Sequence, residues 1–290
     1  MVSSLRCEAR PNPASISMDY VRQREPKVGL ARAMSKLGYC SRSQASALIQ
    51  QGRVRLNGRV RRDPETPVRV GAENIFVDGQ QIVSETKIYL VINKPRGLVT
   101  TASDEKGRTT VYSVLGEAEL PWVAPVGRLD KASEGLLLMT NDSEWAARVA
   151  APESHLDKTY HVQIGCLADQ EMLQSIVNGI KLDDGDLLRA KSARLLRSGE
   201  KHCWLEIVLD GGKNRQIRRM LDALGVVVLR LVRVAIGPLE LGDLRKGSYR
   251  PLAAHEKLRI DQTLAQRLSS LPDRRNQDAG ARRVSSTTGL

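Results

Sequence analysis

The stretch "GRLDKASEGLLLMTND", residues 127–142, sets a charged turn against an apolar run. Arg128 and Asp130 lie between a predicted strand, "WVAPV", and three consecutive leucines. A carboxylate so close to a predicted core is costly to bury unless it is paired. We therefore expect Asp130 either to form a structural salt bridge, which is the simpler alternative, or to take part in chemistry.

Length and charge predict a larger body with a smaller basic module. The 290 residues exceed the usual size of one domain. Basic against acidic residues number 14 to 8 in residues 1–86, 24 to 22 in 87–256, and 7 to 3 in 257–290. A basic module attached to a nearly neutral body is typical of an enzyme that binds nucleic acid.

Several classes of site and location are excluded by what the sequence lacks. Residues 1–17 have no apolar signal-peptide core, and no apolar run reaches the roughly 20 residues of a membrane span, so we expect a cytoplasmic protein that does not contact membranes. Phosphate-loop, dinucleotide-binding, zinc-protease and serine-hydrolase motifs are absent, and the four histidines are scattered. The four cysteines never form C-x-x-C, which favours reduced thiols. A mechanism without metal or cofactor is predicted.

Residues 27–86 carry the pattern of a small folded module. A helix, "LARAMSKLG", precedes a helix start at Ser41 or Ser43, and a second helix, "QASALIQQG", ends at Gly52. Two hairpins follow, with turns at Asn57-Gly58 and Asp78-Gly79. Outside the module, residues 1–26 are predicted to be a disordered tail and residues 257–290 a basic, mostly disordered tail.

This module resembles the S4-like RNA-binding domain. The matching residues are Gly38, Ser41, Arg42, Ala45, Ile49, Gly52, Val54, Asn57 and Gly58. The resemblance implies RNA binding, and basic side chains that line one face would neutralise phosphates. Those named for this role are Arg32, Lys36, Arg42, Arg53, Arg55 and Arg59. The alternative is a solvated basic face on a structural module.

Residues 87–256 carry three places where charged or aromatic side chains meet strands and turns. They are Arg128 to Asp130, the start of the strand "TYHVQI" at Lys158 to Tyr160, and "GGKNRQIRRM" at 211–220. The helical spacing of Arg215, Arg218 and Arg219 prevents all three from facing one way. An inward Arg218 would need a carboxylate partner such as Asp130, and this pairing would keep Asp130 ionised. Which of the three arginines points inward is left open.

The ordered set of blocks across residues 28–256 resembles the bacterial ribosomal RNA pseudouridine synthases of the RsuA/RluB class. The blocks are "INKPRGLV", "PVGRLDKASEGLLLMTND", "DKTYHVQI", "GGKNRQIRRM", "VLRLVRVAIGPLEL" and "GSYRPL". The resemblance implies an α+β protein, with the S4-like domain followed by a synthase domain at 87–256. In the synthase domain a mixed, largely antiparallel sheet is flanked by helices.

The same resemblance implies roles for individual residues. Asp130 is the nucleophile that attacks a uridine at the base or at the ribose carbon, Tyr160 assists proton removal, and Arg218 pairs with Asp130. Arg128 would fill the space left by a flipped uridine, and Ile236 or a neighbouring residue would form an apolar wall under the uracil. RNA contacts are assigned to Lys158, Asn214, Arg215 and Arg219.

Two function classes remain at this point. One is an enzyme acting on ribosomal RNA or pre-ribosomal particles, with the large subunit mildly preferred and a monomeric state expected. The other is a ribosome-bound assembly protein without catalysis. For Tyr160 the alternative is a core tyrosine, and Lys94 and Pro95 are expected to shape the sheet and its exit loop.

Overall fold

The computed structural model describes residues 26–102, 104 and 106–269. The chain divides into two compact units. The first contains the residues up to Ile92 together with Leu98–Arg128 and Leu137–Ala147, and the second contains Asn93–Gly97, Leu129–Leu136 and the residues from Arg148 onward. Strands β7 and β9, defined below, each have residues in both units.

The α-helices of the described residues are α1 (Leu30–Lys36), α2 (Arg42–Gln50), α3 (Ser143–Ala150), α4 (Gln170–Asn178), α5 (Gln216–Ala223) and α6 (Ala254–Ser269). The strands up to the buried "LLLM" run are β1 (Val28–Gly29), β2 (Val54–Leu56), β3 (Arg59–Arg61), β4 (Pro67–Val68), β5 (Ile75–Val77), β6 (Gln80–Gln81), β7 (Tyr89–Lys94), β8 (Ala124–Val126) and β9 (Glu134–Thr140). The later strands are β10 (Lys158–Ile164), β11 (Ile180–Lys181), β12 (Leu187–Leu188), β13 (Ser192–Ser198), β14 (Cys203–Leu209), β15 (Val228–Ile236), β16 (Leu239–Glu240) and β17 (Tyr249–Pro251).

The predicted N-terminal module folds as two helices and a four-stranded sheet of order β3-β2-β5-β6. Ser41 begins α2 with a capping box, in which its hydroxyl accepts from the backbone of Gln44 while the Gln44 side chain bonds back to the Ser41 amide. Asn57 and Gly58 both have positive φ, as a two-residue hairpin turn requires. The predicted second helix, its start at Ser41 and the hairpin at Asn57-Gly58 are confirmed.

The sheet of the second unit is mixed but largely antiparallel. Its strands β13, β14, β10 and β15 pair antiparallel in that order, and β15 pairs parallel with the start of β9. One face of these strands is buried with α4 and α5 in a shared apolar core that includes Val162, Leu205, Ile176 and Met220. The predicted combination of an S4 domain and a mixed sheet flanked by helices is confirmed.

Strand β9, which follows the Asp130 turn within the opening stretch, is deeply buried. All seven of its residues are buried. At Gly135, φ is +103°, and a Cβ there would collide with the backbone of Arg233 on β15. Only glycine fits this position, because both the backbone conformation and the close approach exclude a side chain. In the first unit, β8 pairs antiparallel with the other end of β9, with Val126 opposite Leu138.

The predicted start of the C-terminal tail at residue 257 is wrong, because α6 continues to Ser269. Ile260 and Leu264 are buried one helical turn apart, which gives this basic segment an apolar stripe that stabilises a helix. The predicted disordered tails otherwise fall on residues 1–25 and 270–290, outside the described residues. Among the described residues, no helix is both long and apolar enough to cross a membrane.

Candidate active site

Asp130 lies on a tight turn immediately before β9. The amide of Ser133 donates to the carbonyl oxygen of Asp130 at 3.0 Å, which closes the turn. The Asp130 side chain keeps 33% of its surface exposed. Its carboxylate is therefore held on a rigid strand end yet remains accessible to a substrate.

The Lys94 side chain stabilises this turn through hydrogen bonds to its backbone. Its Nζ atom is fully buried and donates to the carbonyl oxygens of Asp130 at 3.1 Å, Ser133 at 2.8 Å and Pro95 at 3.2 Å. Burial lowers the pKa of Lys94 to about 8, although the nearby Asp130 and Glu134 carboxylates oppose this shift. Lys94 was expected to shape the sheet and its exit loop, and it does so by binding the turn that carries Asp130. The signal in the sequence was a lysine ending a run of buried strand residues.

Among the described residues, Arg215 is the arginine whose guanidinium comes within ion-pair distance of the Asp130 carboxylate. Its Nη1 atom lies 4.0 Å from Oδ2 of Asp130, at the limit of an ion pair. Arg215 immediately precedes α5 and has φ of +49°, in the left-handed region. Its side chain is half exposed.

The predicted ion pair between Arg218 and Asp130 is not formed. Arg218 is partly buried and its Nη2 atom donates to the carbonyl oxygen of Ala132 at 3.1 Å, two residues beyond Asp130. Its buried Nε atom has no hydrogen-bond partner among the described residues. The helix turns Arg218 inward as expected, but its guanidinium reaches the backbone of the turn and stops short of the carboxylate.

The surroundings of Asp130 are strongly basic. Burial and the positive charges of Arg215 and Arg96 lower the pKa of Arg218, while Asp130 opposes this. Lys94 and Arg218 both interact electrostatically with Asp130, and Arg215 lies at ion-pair distance from it. Arg96 was not among the predicted site residues; it follows Lys94 and Pro95 in the same exit loop. Such an excess of positive charge favours a polyanionic substrate.

Tyr160, Lys158 and Ile236 lie together on one face of the sheet. Lys158 and Tyr160 are two residues apart on β10, so their side chains point to the same face of the sheet. Ile236 on β15 is the cross-strand partner of Lys158. Tyr160 packs against the apolar core, and no hydrogen bond to its hydroxyl is present among the described residues. The pKa of Lys158 is lowered, mainly by burial and also by the positive charge of Arg233.

The strand register relates Tyr160 to the start of β9. Tyr160 is opposite Arg233 on β15, and Arg233 is opposite Gly135 on β9. Neighbouring strands are about 4.8 Å apart, so this row separates Tyr160 from β9 by roughly 10 Å.

The remaining predicted RNA-contact residues of the synthase domain differ in their exposure and in their ion pairs. Arg128 and Asn214 are exposed. Arg219 forms ion pairs with Asp184 at 2.5 Å and Asp186 at 3.0 Å. Arg219 thus binds the turn between β11 and β12, which sets it apart from Arg215 and Arg218.

The basic residues of the N-terminal module do not all lie on one face. Arg55 on β2 and Arg59 on β3 point to opposite faces of their hairpin, because Arg59 is directly opposite Leu56. Arg32, Arg42 and Arg55 are exposed. The other two carry ion pairs: Arg53 with Asp78 at 2.5 Å and Lys36 with Glu144 at 2.6 Å.

A metal centre is not indicated in the part of the chain that the structure describes, since no cluster of three His, Cys, Asp or Glu side chains suited to a metal ion is present there.

Two family models match the chain. Residues 88–223 match the RNA pseudouridylate synthase model, and residues 28–74 match the S4 domain model. Together they cover the turn of Asp130, the Lys158–Tyr160 strand and the N-terminal module.

Similar proteins of known name agree with these matches. "Ribosomal large subunit pseudouridine synthase B" of Bacillus subtilis is 35% identical over 234 residues, which are 80% of this chain and 94% of that protein. An uncharacterized RNA pseudouridine synthase of Aquifex aeolicus is 36% identical over 228 residues, covering 78% and 90%. A crystal structure of a pseudouridylate synthase superposes with a TM-score of 0.57 and 28% identity, over 80% of this chain and 99% of that one.

Proposed function

Because the chain belongs to the RNA pseudouridylate synthase family, we propose that it modifies ribosomal RNA of the large subunit and that Asp130 is its nucleophile. As a pseudouridine synthase it isomerises uridine in RNA. The bond between N1 of the uracil and the ribose breaks, and a bond from C5 to the same ribose carbon forms. C5 loses one proton and N1 gains one, so the reaction needs no oxidant or reductant.

The observation that carries the assignment of Asp130 is its position on a rigid turn. Lys94 and the amide of Ser133 hold the backbone of this turn, while the carboxylate remains one-third exposed beside Arg215. A structural salt bridge would place the carboxylate against its cation at a shorter distance than 4.0 Å. A nucleophile instead needs an ionised, accessible oxygen held in a fixed direction.

Other residues are assigned to the steps that follow attack. Tyr160, with a hydroxyl that no described residue engages, assists removal of the C5 proton. Ile236, buried beside Lys158, forms the apolar wall under the uracil. Arg218 donates a hydrogen bond to the carbonyl of Ala132 and so orients the turn.

RNA outside the reacting nucleotide is bound by basic and polar side chains. Arg128, which is exposed two residues before Asp130, fills the space of the flipped uridine. Lys158, Asn214, Arg215 and Arg219 bind the RNA near the site. In the S4 domain, phosphates are bound by Arg32, Arg42, Arg53 and Arg55.

The large subunit is proposed because the Bacillus subtilis relative is named for it. Free ribosomal RNA and pre-ribosomal particles carry the same nucleotides, so either is a suitable substrate. The test is to map pseudouridines in all ribosomal RNAs from cells with and without this protein. We expect a large-subunit uridine to stay unmodified without it and to be modified again when the parent chain is supplied.

The rescue is repeated with Asp130→Asn as the matched control, and this variant should fail to restore the modification. Loss of a site only in small-subunit RNA would overturn the proposed substrate but keep the reaction. Rescue by Asp130→Asn would overturn the assignment of the nucleophile.

A further inference from the structure

The end of β9 forms a buried polar cluster that the reaction does not use. The opening stretch begins with the turn of Asp130 and ends with Thr140, Asn141 and Asp142. Asn141 keeps 3% and Asp142 7% of its surface exposed. Buried polar side chains are costly unless they are hydrogen-bonded, and these three residues bond to one segment, residues 86–89, which joins the two domains. All of these residues belong to the first unit.

Asn141 and Thr140 fasten the backbone of the joining segment. The Asn141 side chain donates to the carbonyl oxygen of Thr86 at 2.9 Å and accepts from the amide of Ile88 at 2.9 Å. The Thr140 hydroxyl donates to the carbonyl oxygen of Ile88 at 2.6 Å. The two side chains thus bind three backbone groups of this segment, one of Thr86 and two of Ile88.

Asp142 fastens the side chains of the same segment. Its carboxylate accepts from the Tyr89 hydroxyl at 2.8 Å and lies 3.0 Å from the Lys87 ammonium. It also accepts from the amide of Trp145, and so caps α3. Burial alone would raise the pKa of Asp142, but these bonds hold it below its usual value.

The S4 domain meets this cluster at the end of α1. The amide of Glu85 donates to the carbonyl oxygen of Leu37 at 3.1 Å. Gly38 has φ of +81°, and a Cβ there would lie 3.3 Å from the Asn141 amide nitrogen and from Cβ of Glu85. Lys36 then forms its 2.6 Å ion pair with Glu144 on α3. The end of α1 is therefore in contact with both the joining segment and the residues that follow β9.

We infer that Thr140, Asn141 and Asp142 act as a latch that, together with the Lys36–Glu144 pair, docks the S4 domain onto the end of β9 and so helps determine which uridine is modified. This rests on the proposed function, in which the S4 domain binds ribosomal RNA. A docked domain presents its RNA in one position, whereas a loosely tethered one lowers the effective concentration of the target nucleotide. Lys36 is then a docking residue and does not contact phosphate.

A charge exchange at residues 36 and 144 separates docking from RNA binding. We expect Lys36→Glu and Glu144→Lys each to raise KM for large-subunit RNA about three- to tenfold, since each variant removes an exposed ion pair and adds repulsion. Because the chemistry is unchanged, kcat should stay within twofold. The double variant should restore KM to within twofold of the parent.

Glu119→Lys is the matched control for charge, because it makes the same change at an exposed glutamate of the first unit. It should leave KM unchanged or lower it. If Lys36 contacts phosphate instead, Lys36→Glu weakens binding, Glu144→Lys does not, and the double variant stays as weak as Lys36→Glu. Failure of the double variant to restore KM overturns the inference.

A second measurement needs no RNA. Hydrogen exchange in the full chain should show protected amides at Glu85 and Ile88, and Asn141→Ala should speed exchange at Glu85 at least tenfold while Glu119→Lys does not. Free exchange of Glu85 in the parent, or unchanged exchange in a folded Asn141→Ala, contradicts the latch. If the parent modifies no large-subunit RNA, the proposed substrate fails, and the exchange data still decide the latch.

Discussion

Arg215 and Asp130 approach each other at the start of α5, with Nη1 of the arginine 4.0 Å from Oδ2 of the carboxylate. Arg218, one helical turn further on, donates instead to the carbonyl oxygen of Ala132. The two arginines therefore act on different parts of one turn. Arg215 faces the Asp130 carboxylate, and Arg218 holds the backbone that carries it.

This division predicts different defects in three arginine variants. Arg215→Ala should leave the free energy of unfolding within about 0.5 kcal/mol of the parent, because the residue is exposed, but slow single turnover about three- to tenfold at saturating RNA. Arg218→Ala should cost about 1–3 kcal/mol of stability as well as rate, because it removes a partly buried donor. Arg219→Ala, which loses pairs with Asp184 and Asp186, is the control for rate. A normal single-turnover rate for Arg215→Ala would contradict this account.

The lowered pKa of Lys94 should make the stability of the protein depend on pH. Its pKa is about 8 in the folded chain against an ordinary value of 10.5. Between these pH values the unfolded chain binds more protons, so this residue makes the free energy of unfolding rise with pH by about 1.4 kcal/mol per unit. Below pH 8 both states are protonated and its contribution is constant.

The matched variant for this prediction is Lys94→Met, which keeps the length of the side chain but cannot titrate. Urea unfolding of both proteins from pH 7 to 10 should show their stability difference growing in favour of the parent above pH 8. A difference that stays constant across this range would mean that Lys94 is not held with a lowered pKa.

Tyr160 allows a test of the hydroxyl alone. Tyr160→Phe retains the ring that packs against the core, so the melting temperature should stay close to that of the parent. If the hydroxyl assists proton removal, product formation should slow by about 100-fold or more, as is usual for loss of a general acid or base. A variant with the parent's single-turnover rate would assign Tyr160 to the core only.

Arg55 and Arg59 form a matched pair for RNA binding, because they point to opposite faces of one hairpin. Arg55 was assigned to a phosphate contact, so Arg55→Ala should reduce the slope of log affinity against log salt by about one. Arg59→Ala should leave the slope nearly unchanged. Equal slopes for the two variants would contradict the assignment of one RNA-binding face.

The sequence predicted elements whose signals are local. Ser41 and Gln44 form a capping box, and Asn57-Gly58 supplies the two positive φ angles of a hairpin, so both were readable within four residues. The helix that follows residue 253 was missed in favour of a tail. Its charge dominated the composition, while its apolar stripe consists of only a few buried residues such as Ile260 and Leu264.

Contacts between distant segments were harder to predict. The spacing of three arginines indicated that one turns inward, and Arg218 does, but spacing cannot tell a carboxylate from the carbonyl two residues beyond it. Lys36 was assigned to RNA by its charge alone, whereas its partner Glu144 lies 108 residues away in sequence. Such pairs depend on tertiary packing, which a charge pattern does not contain.

The assignment of Asp130 as nucleophile is tested most directly by pseudouridine formation in Asp130→Asn. The amide preserves the size of the side chain, so melting temperature and RNA affinity should match the parent, but it is not a nucleophile. Asp183→Asn, at an exposed carboxylate, is the control and should retain full activity. With a large-subunit RNA substrate, we expect no detectable pseudouridine from Asp130→Asn under single-turnover conditions; a rate within about tenfold of the parent would contradict the account.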